Sequence, residues 1–141
     1  MKIVFTDCRT NGFSIDELSK TPQSEENKLR NGDDCSMKVA IIGLGFRLGY
    51  LGRVFSEIDP TFEIVGYVDP APAGLPGLQA AGVSVGVSYE TPEQLIAAGG
   101  FDLLMIGSPN HLHLDHIRLG LQAGLTVFTE KPIVISIEES L

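Results

Sequence analysis

Four short segments of this sequence hold residue types able to do chemistry. The first, Gly43-Leu44-Gly45-Phe46-Arg47, directly follows the apolar run Val39-Ala40-Ile41-Ile42. Gly43 permits a tight turn, and Gly45 lets an anion approach the backbone with no Cβ in the way. Free amides and the dipole at the start of a following helix then favour a pyrophosphate. The third glycine of a G-x-G-x-x-G fingerprint would fall at position 48, which is Leu, and Gly49 comes one residue late. The second segment is Asp69, 26 residues after Gly43. A carboxylate there accepts hydrogen bonds from adenosine ribose hydroxyls and repels a 2′-phosphate. The pair points to dinucleotide binding, with NAD preferred over NADP. Arg47 weakens that preference, because it can reach a phosphate. The bland alternatives are a glycine turn that binds nothing, an Asp69-Pro70 turn, and a solvated Arg47.

The third segment is Ser108-Pro109-Asn110-His111-Leu112-His113. Pro109 and Asn110 would shape the wall where a nicotinamide lies, with His113 approaching substrate; the alternative is Asn110 as a helix cap beside solvated histidines. A metal site is not expected. His111 and His113 sit two apart at a helix start and do not share a face, and no carboxylate or thiol completes a set with His116. The fourth segment is Glu130-Lys131-Pro132. A lysine beside a crevice hydrogen-bonds a substrate hydroxyl and supports proton transfer, and burial would lower its pKa toward neutrality. Its alternative is an exposed Lys paired with a carboxylate.

Positioning these segments takes alternating strands and helices. Val39 to Ile42, Phe62 to Val68, Val83 to Val87, Phe101 to Ile106 and Val127-Phe128 read as five strands. Leu48, Leu51, Val54, Phe55 and Ile58 follow the first at helical spacing, and Asp59-Pro60 ends that helix. One helical turn is expected at Leu78 to Ala81. Thr91-Pro92-Glu93-Gln94 is a strong helix start, stopped by Gly99-Gly100. Asn110 is expected to cap a helix running to about Ala123, with Gly124 as terminator. Helical crossovers force a parallel, doubly wound α/β sheet, ordered 3-2-1-4-5, with its ligand crevice at the carboxyl ends of strands 1 and 4.

Residues 1–36 read differently. Ile3 to Phe5 could form a short strand and Ser14-x-x-Glu17 a capped turn, but 19–36 holds a single large aliphatic residue, Leu29. This part reads as a poorly ordered extension or linker ahead of a domain at 37–141. Ser136-x-x-Glu139 would cap a last helix. The 141 residues carry a net charge of −8, which disfavours nucleic-acid binding, and no apolar run is long enough for a membrane helix. Cys8 and Cys35 form neither a disulfide framework nor a metal pattern, and the N-terminus lacks a secretory pattern; a cytoplasmic setting is expected.

Together, MKVAIIGLGFR, VGYVDP, SPNHLHLDHIRLGLQAG and TEKPI resemble the N-terminal Rossmann domain of the Gfo/Idh/MocA oxidoreductases, collinearly from Met37 to Leu141. The resemblance implies nicotinamide-dependent hydride transfer on sugars, cyclitols or related hydroxy and keto compounds. By it, Gly43, Leu44, Gly45, Phe46 and Arg47 hold the pyrophosphate and Asp69 the adenosine ribose. Ser108, Pro109, Asn110 and His113 flank the nicotinamide ribose, Glu130 contacts the cofactor side, and Lys131 binds substrate and assists proton transfer. Members carry most substrate contacts on a C-terminal domain that this sequence does not include. The chain is therefore read as a truncated or fragmentary member, expected to bind the dinucleotide, to lack activity alone, and to self-associate or lose stability through apolar surface left uncovered. The alternative is a non-catalytic, NAD-sensing regulatory module working through a protein partner.

Overall fold

The structure, a computed structural model, describes residues 36–133 and 135, within the unit Ser36–Leu141. The expectations for the strand at Ile3, the cap at Ser14, the bulk of the extension, the two cysteines and the cap at Ser136 lie outside the described residues.

Five parallel strands form one sheet in the order β3-β2-β1-β4-β5: β1 Lys38–Ile42, β2 Glu63–Val68, β3 Val85–Ser88, β4 Leu103–Ile106 and β5 Thr126–Thr129. Four helices connect them: α1 Phe46–Ile58, α2 Leu75–Ala80, α3 Pro92–Ala98 and α4 His113–Gln122. The central strand shows why the order is stable. Val39 and Ile41 pack with Leu44, Leu48, Ile64, Leu78 and Met105, while Ala40 and Ile42 pack with Val68, Leu95, Leu104 and Ile106. Successive side chains of β1 thus enter opposite cores, and a strand covered on both faces reads as an unbroken apolar run. Helices α1 and α2 pack together, as do α3 and α4, giving the two covering layers.

Strands β3 and β4 begin two residues later than read, at Val85 and Leu103, and two helix starts also differ from expectation. Helix α2 begins at Leu75, three residues earlier, because Pro76 falls in the first turn, where a missing N–H costs nothing. Asn110 does not cap a long helix. Pro109 enters in an extended conformation, Asn110–Leu112 form a 3-10 turn closed by Leu112 N–H donating to Pro109 O at 2.8 Å, and α4 starts only at His113. The Asn110 side chain makes no capping bond, because this backbone turn already occupies the helix entry. By contrast, Thr91 caps α3 as read, its hydroxyl accepting from Gln94 N at 3.3 Å. Gln94 Oε1 in turn accepts from Glu90 N at 3.2 Å.

Candidate functional site

The bend after β1 is held by its neighbours on both sides. Gly43 adopts φ 85° and donates its N–H to Val68 O at 2.8 Å, while Gly107 N–H reaches Ile42 O at 2.8 Å. A Cβ on Gly43 would land on the Ser108 amide nitrogen, so only glycine fits both the left-handed turn and the contact. Leu44 is buried and its carbonyl accepts from Gly74 N at 2.9 Å, which draws the start of α2 against the bend. Gly45 is the N-cap of α1, extended, with no side chain capping the first turn and no acidic residue in it. Among the described residues, nothing lies within 4 Å of the place a Cβ on Gly45 would take. An uncapped 13-residue helix start facing open space suits a pyrophosphate, because amide donors there lack an internal partner. Phe46, 79% exposed, stands at the rim.

Leu48 does not plug this bend. It is buried in the core, against Gly107, where an added Cβ would sit 2.7 Å from Leu48 Cδ1. The bulk at position 48 is therefore absorbed by the missing side chain at 107. Gly49 serves another close approach: its Cβ would sit 2.6 Å from Gly74 Cα. Neither Gly74 nor Gly107 was singled out in the sequence, since both lie in loops remote from the fingerprint. Gly107→Ala alone is expected to cost about 1–3 kcal/mol by overpacking, and Leu48→Ala alone about 2–5 kcal/mol. Together they should cost less than the sum by at least about 0.5 kcal/mol in a denaturant double-mutant cycle. Strict additivity would show that the two positions do not share one space.

Asp69 follows β2 and is part-exposed; its Oδ1 accepts the Ala71 N–H at 2.7 Å. The turn reading and the ribose reading are thus compatible: one oxygen fixes the carboxylate, and Oδ2 makes no hydrogen bond among the described residues. Across the crevice, Arg47 Nε donates to Glu130 Oε1 at 3.2 Å. The Arg47 side chain is 69% exposed and that of Glu130 19%. An ion pair so open to water is worth about 0–1 kcal/mol, so parting Arg47 from Glu130 costs little. Glu130 itself is anchored by N–H donation to Ile106 O at 2.9 Å.

Beyond β4, Pro109, Asn110 and His111 are exposed, whereas Ser108 and His113 are buried. Ser108 Oγ lies 2.8 Å from His116 Nδ1. His113 presents no free ring nitrogen: Nδ1 lies 2.7 Å from Pro132 O and Nε2 2.7 Å from Ser108 O. It therefore stands behind the crevice wall, with no polar atom left to offer a ligand. Lys131 is exposed and its amine makes no bond among the described residues, so these residues do not supply the burial expected around it. Among the described residues no three His, Cys, Asp or Glu side chains could hold a metal ion, and no helix is long and apolar enough to cross a membrane.

Burial, the largest influence, pushes the His116 pKa below its ordinary 6.5, against opposing pulls from Asp115 and Glu93 and with a small push from His113. A neutral ring protonated on Nε2 leaves Nδ1 to accept the Ser108 hydroxyl. Below pH 6.5 the unfolded chain takes up this proton before the folded one, so stability is full above that value and falls as pH drops through it. Thermal midpoints at pH 7.5 and 5.5 should fall further in the wild type than in His116→Gln. Exposed Glu93, held below its usual 4.5 chiefly by backbone hydrogen bonding, adds its loss only in more acid solution.

A doubly wound parallel sheet with a glycine bend, an acidic β2 end and a loop crevice defines a dinucleotide-binding domain. Residues 37–140 match the Gfo/Idh/MocA model, an oxidoreductase family with an NAD-binding Rossmann fold, and the chain belongs to this family. It is 30% identical to scyllo-inositol 2-dehydrogenase (NAD(+)) of Bacillus subtilis, over 74% of this chain and 30% of that protein. It is 28% identical to the rhizopine catabolism protein MocA of Rhizobium meliloti, over 73% of this chain and 31% of that one. Among solved structures, Lactobacillus casei scyllo-inositol dehydrogenase with bound NAD(H) and scyllo-inositol is similar at TM-score 0.59 and 30% identity. That likeness covers 74% of this chain and 30% of the other. The Thermus thermophilus WlbA dehydrogenase in complex with NAD and UDP-GlcNAcA gives TM-score 0.58 and 30% identity, covering 73% and 35%. The chain spans under a third of the length of the curated relatives it matches.

Proposed function

We propose that this chain is the cofactor half of a hydride-transfer enzyme, binding NAD(H) across the carboxyl ends of β1, β2 and β4. The observation that carries the reading is the open, uncapped start of α1 above Gly45, with Asp69 at one end of the crevice and Ser108, Pro109 and Asn110 at the other. Gly43, Leu44, Gly45 and Phe46 present backbone amides to the pyrophosphate, and Arg47 turns from Glu130 to meet its charge. Asp69 Oδ2 accepts from the adenosine ribose. Pro109 and Asn110 wall the nicotinamide ribose, with His113 acting from behind. Glu130 lines the cofactor side.

When bound, the nicotinamide supplies a hydride acceptor or donor. Lys131 then hydrogen-bonds a hydroxyl of a polyol or sugar-like substrate and moves its proton as the C–H bond breaks. Excluding water around that amine and orienting substrate call for groups other than the described residues, as the family resemblance implies. Nothing favours the regulatory module acting through a protein partner. Calorimetric titration with NADH is expected to give saturable one-site binding to the 141-residue chain, and no binding at millimolar NADH would overturn the reading.

A further inference from the structure

We infer that His113 is a positioning residue for Lys131. Its buried imidazole ties the carbonyl of Pro132 to that of Ser108, and so fixes the segment after β5 against the loop after β4. This rests on the reading of Lys131 above. His113 is 1% exposed, and its ring spans the two carbonyl oxygens at 2.7 Å each. Carbonyls only accept, so a neutral ring donates to one of them, and the clasp requires that proton on Nδ1, facing Pro132 O.

The contact matters because little else among the described residues holds that segment. Glu130 is fixed by Ile106 and Arg47, but Lys131, Pro132 and Ile133 are exposed. Among the described residues, the bond from His113 to Pro132 O is the one hydrogen bond this three-residue stretch makes. The other end of the clasp is rigid. Ser108 is held through Oγ by His116 and lies against Gly43, the residue that forms the glycine bend. One frame thus runs from Gly43 through Ser108 and His113 to Pro132, setting Lys131 at a fixed place relative to the pyrophosphate cradle. Locking a reactive side chain through a buried partner is what a productive geometry requires.

The test uses the ¹⁵N-labelled full chain, wild type, His113→Phe and His113→Gln. Phe keeps a ring without donors, and Gln keeps one donating amide that reaches a single carbonyl. In the wild type, the Lys131 and Ile133 amides should show order parameters near about 0.85. In His113→Phe these two should fall below about 0.6 while β1 and β4 stay rigid, with partial recovery in His113→Gln. Unchanged order at Lys131 in folded His113→Phe, or loosening spread evenly over the sheet, would each overturn the assignment. Should His113→Phe not fold, the wild-type ring decides: a slowly exchanging Nδ1–H coupled to the Pro132 carbonyl carbon is expected, and an unprotonated Nδ1 refutes the clasp. Absence of NADH binding by the wild type would count against the cofactor reading alone, because Lys131 order is measured without it.

Discussion

Gly45→Ala should weaken NADH binding at least about tenfold while changing stability by only about 1 kcal/mol. The two effects separate because the position is sterically empty. Gly45 has extended backbone angles that alanine adopts freely, and its Cβ would meet nothing within 4 Å among the described residues. The small stability cost is the poorer N-cap propensity of alanine. That same empty volume is where an anion must come to reach the first amides of α1, and a methyl group there holds the phosphate off its donors. Parallel calorimetry and urea denaturation check both halves. A variant that loses stability and affinity together, or neither, would locate the phosphate elsewhere.

Asp69→Ala should weaken NADH by roughly 10–100-fold, the scale of hydrogen bonds to a charged acceptor, and weaken NADPH much less. The carboxylate favours two ribose hydroxyls but repels a 2′-phosphate, so removing it costs one cofactor and relieves the other. Asp69 also accepts the Ala71 N–H, which makes Asp69→Asn the necessary control: it keeps the turn and removes the charge. Affinities of both cofactors for all three proteins decide the matter. Equal losses for NADH and NADPH would leave Asp69 as a turn residue only.

The layout was legible because strong local signals agreed with tertiary burial. The run Val39 to Ile42 enters two cores, Thr91 with Gln94 forms the cap its spacing implied, and Gly124 follows α4 in the left-handed region. What escaped the sequence lies in contacts between distant segments. Leu48 in place of glycine looked like a flaw in the phosphate bend, and its accommodation depends on Gly107, far along the chain. Asn110 has a capping side chain, yet Pro109 and Leu112 close the turn through backbone alone. His113 looked like a ligand contact because a polar residue after β4 falls on the crevice side. Two carbonyl partners, one of them 19 residues away, draw it inward. The ion pair of Arg47 with Glu130 joins two motifs that were read as separate.

The most direct measurement maps backbone amide shifts of the full chain during titration with NAD. The account predicts saturable shifts concentrated at Gly43 to Arg47, Asp69, Asn110 and Glu130, with the midpoint moved to at least about tenfold higher NAD in the Gly45→Ala protein. Shifts confined to another face, or none at millimolar NAD, would contradict it.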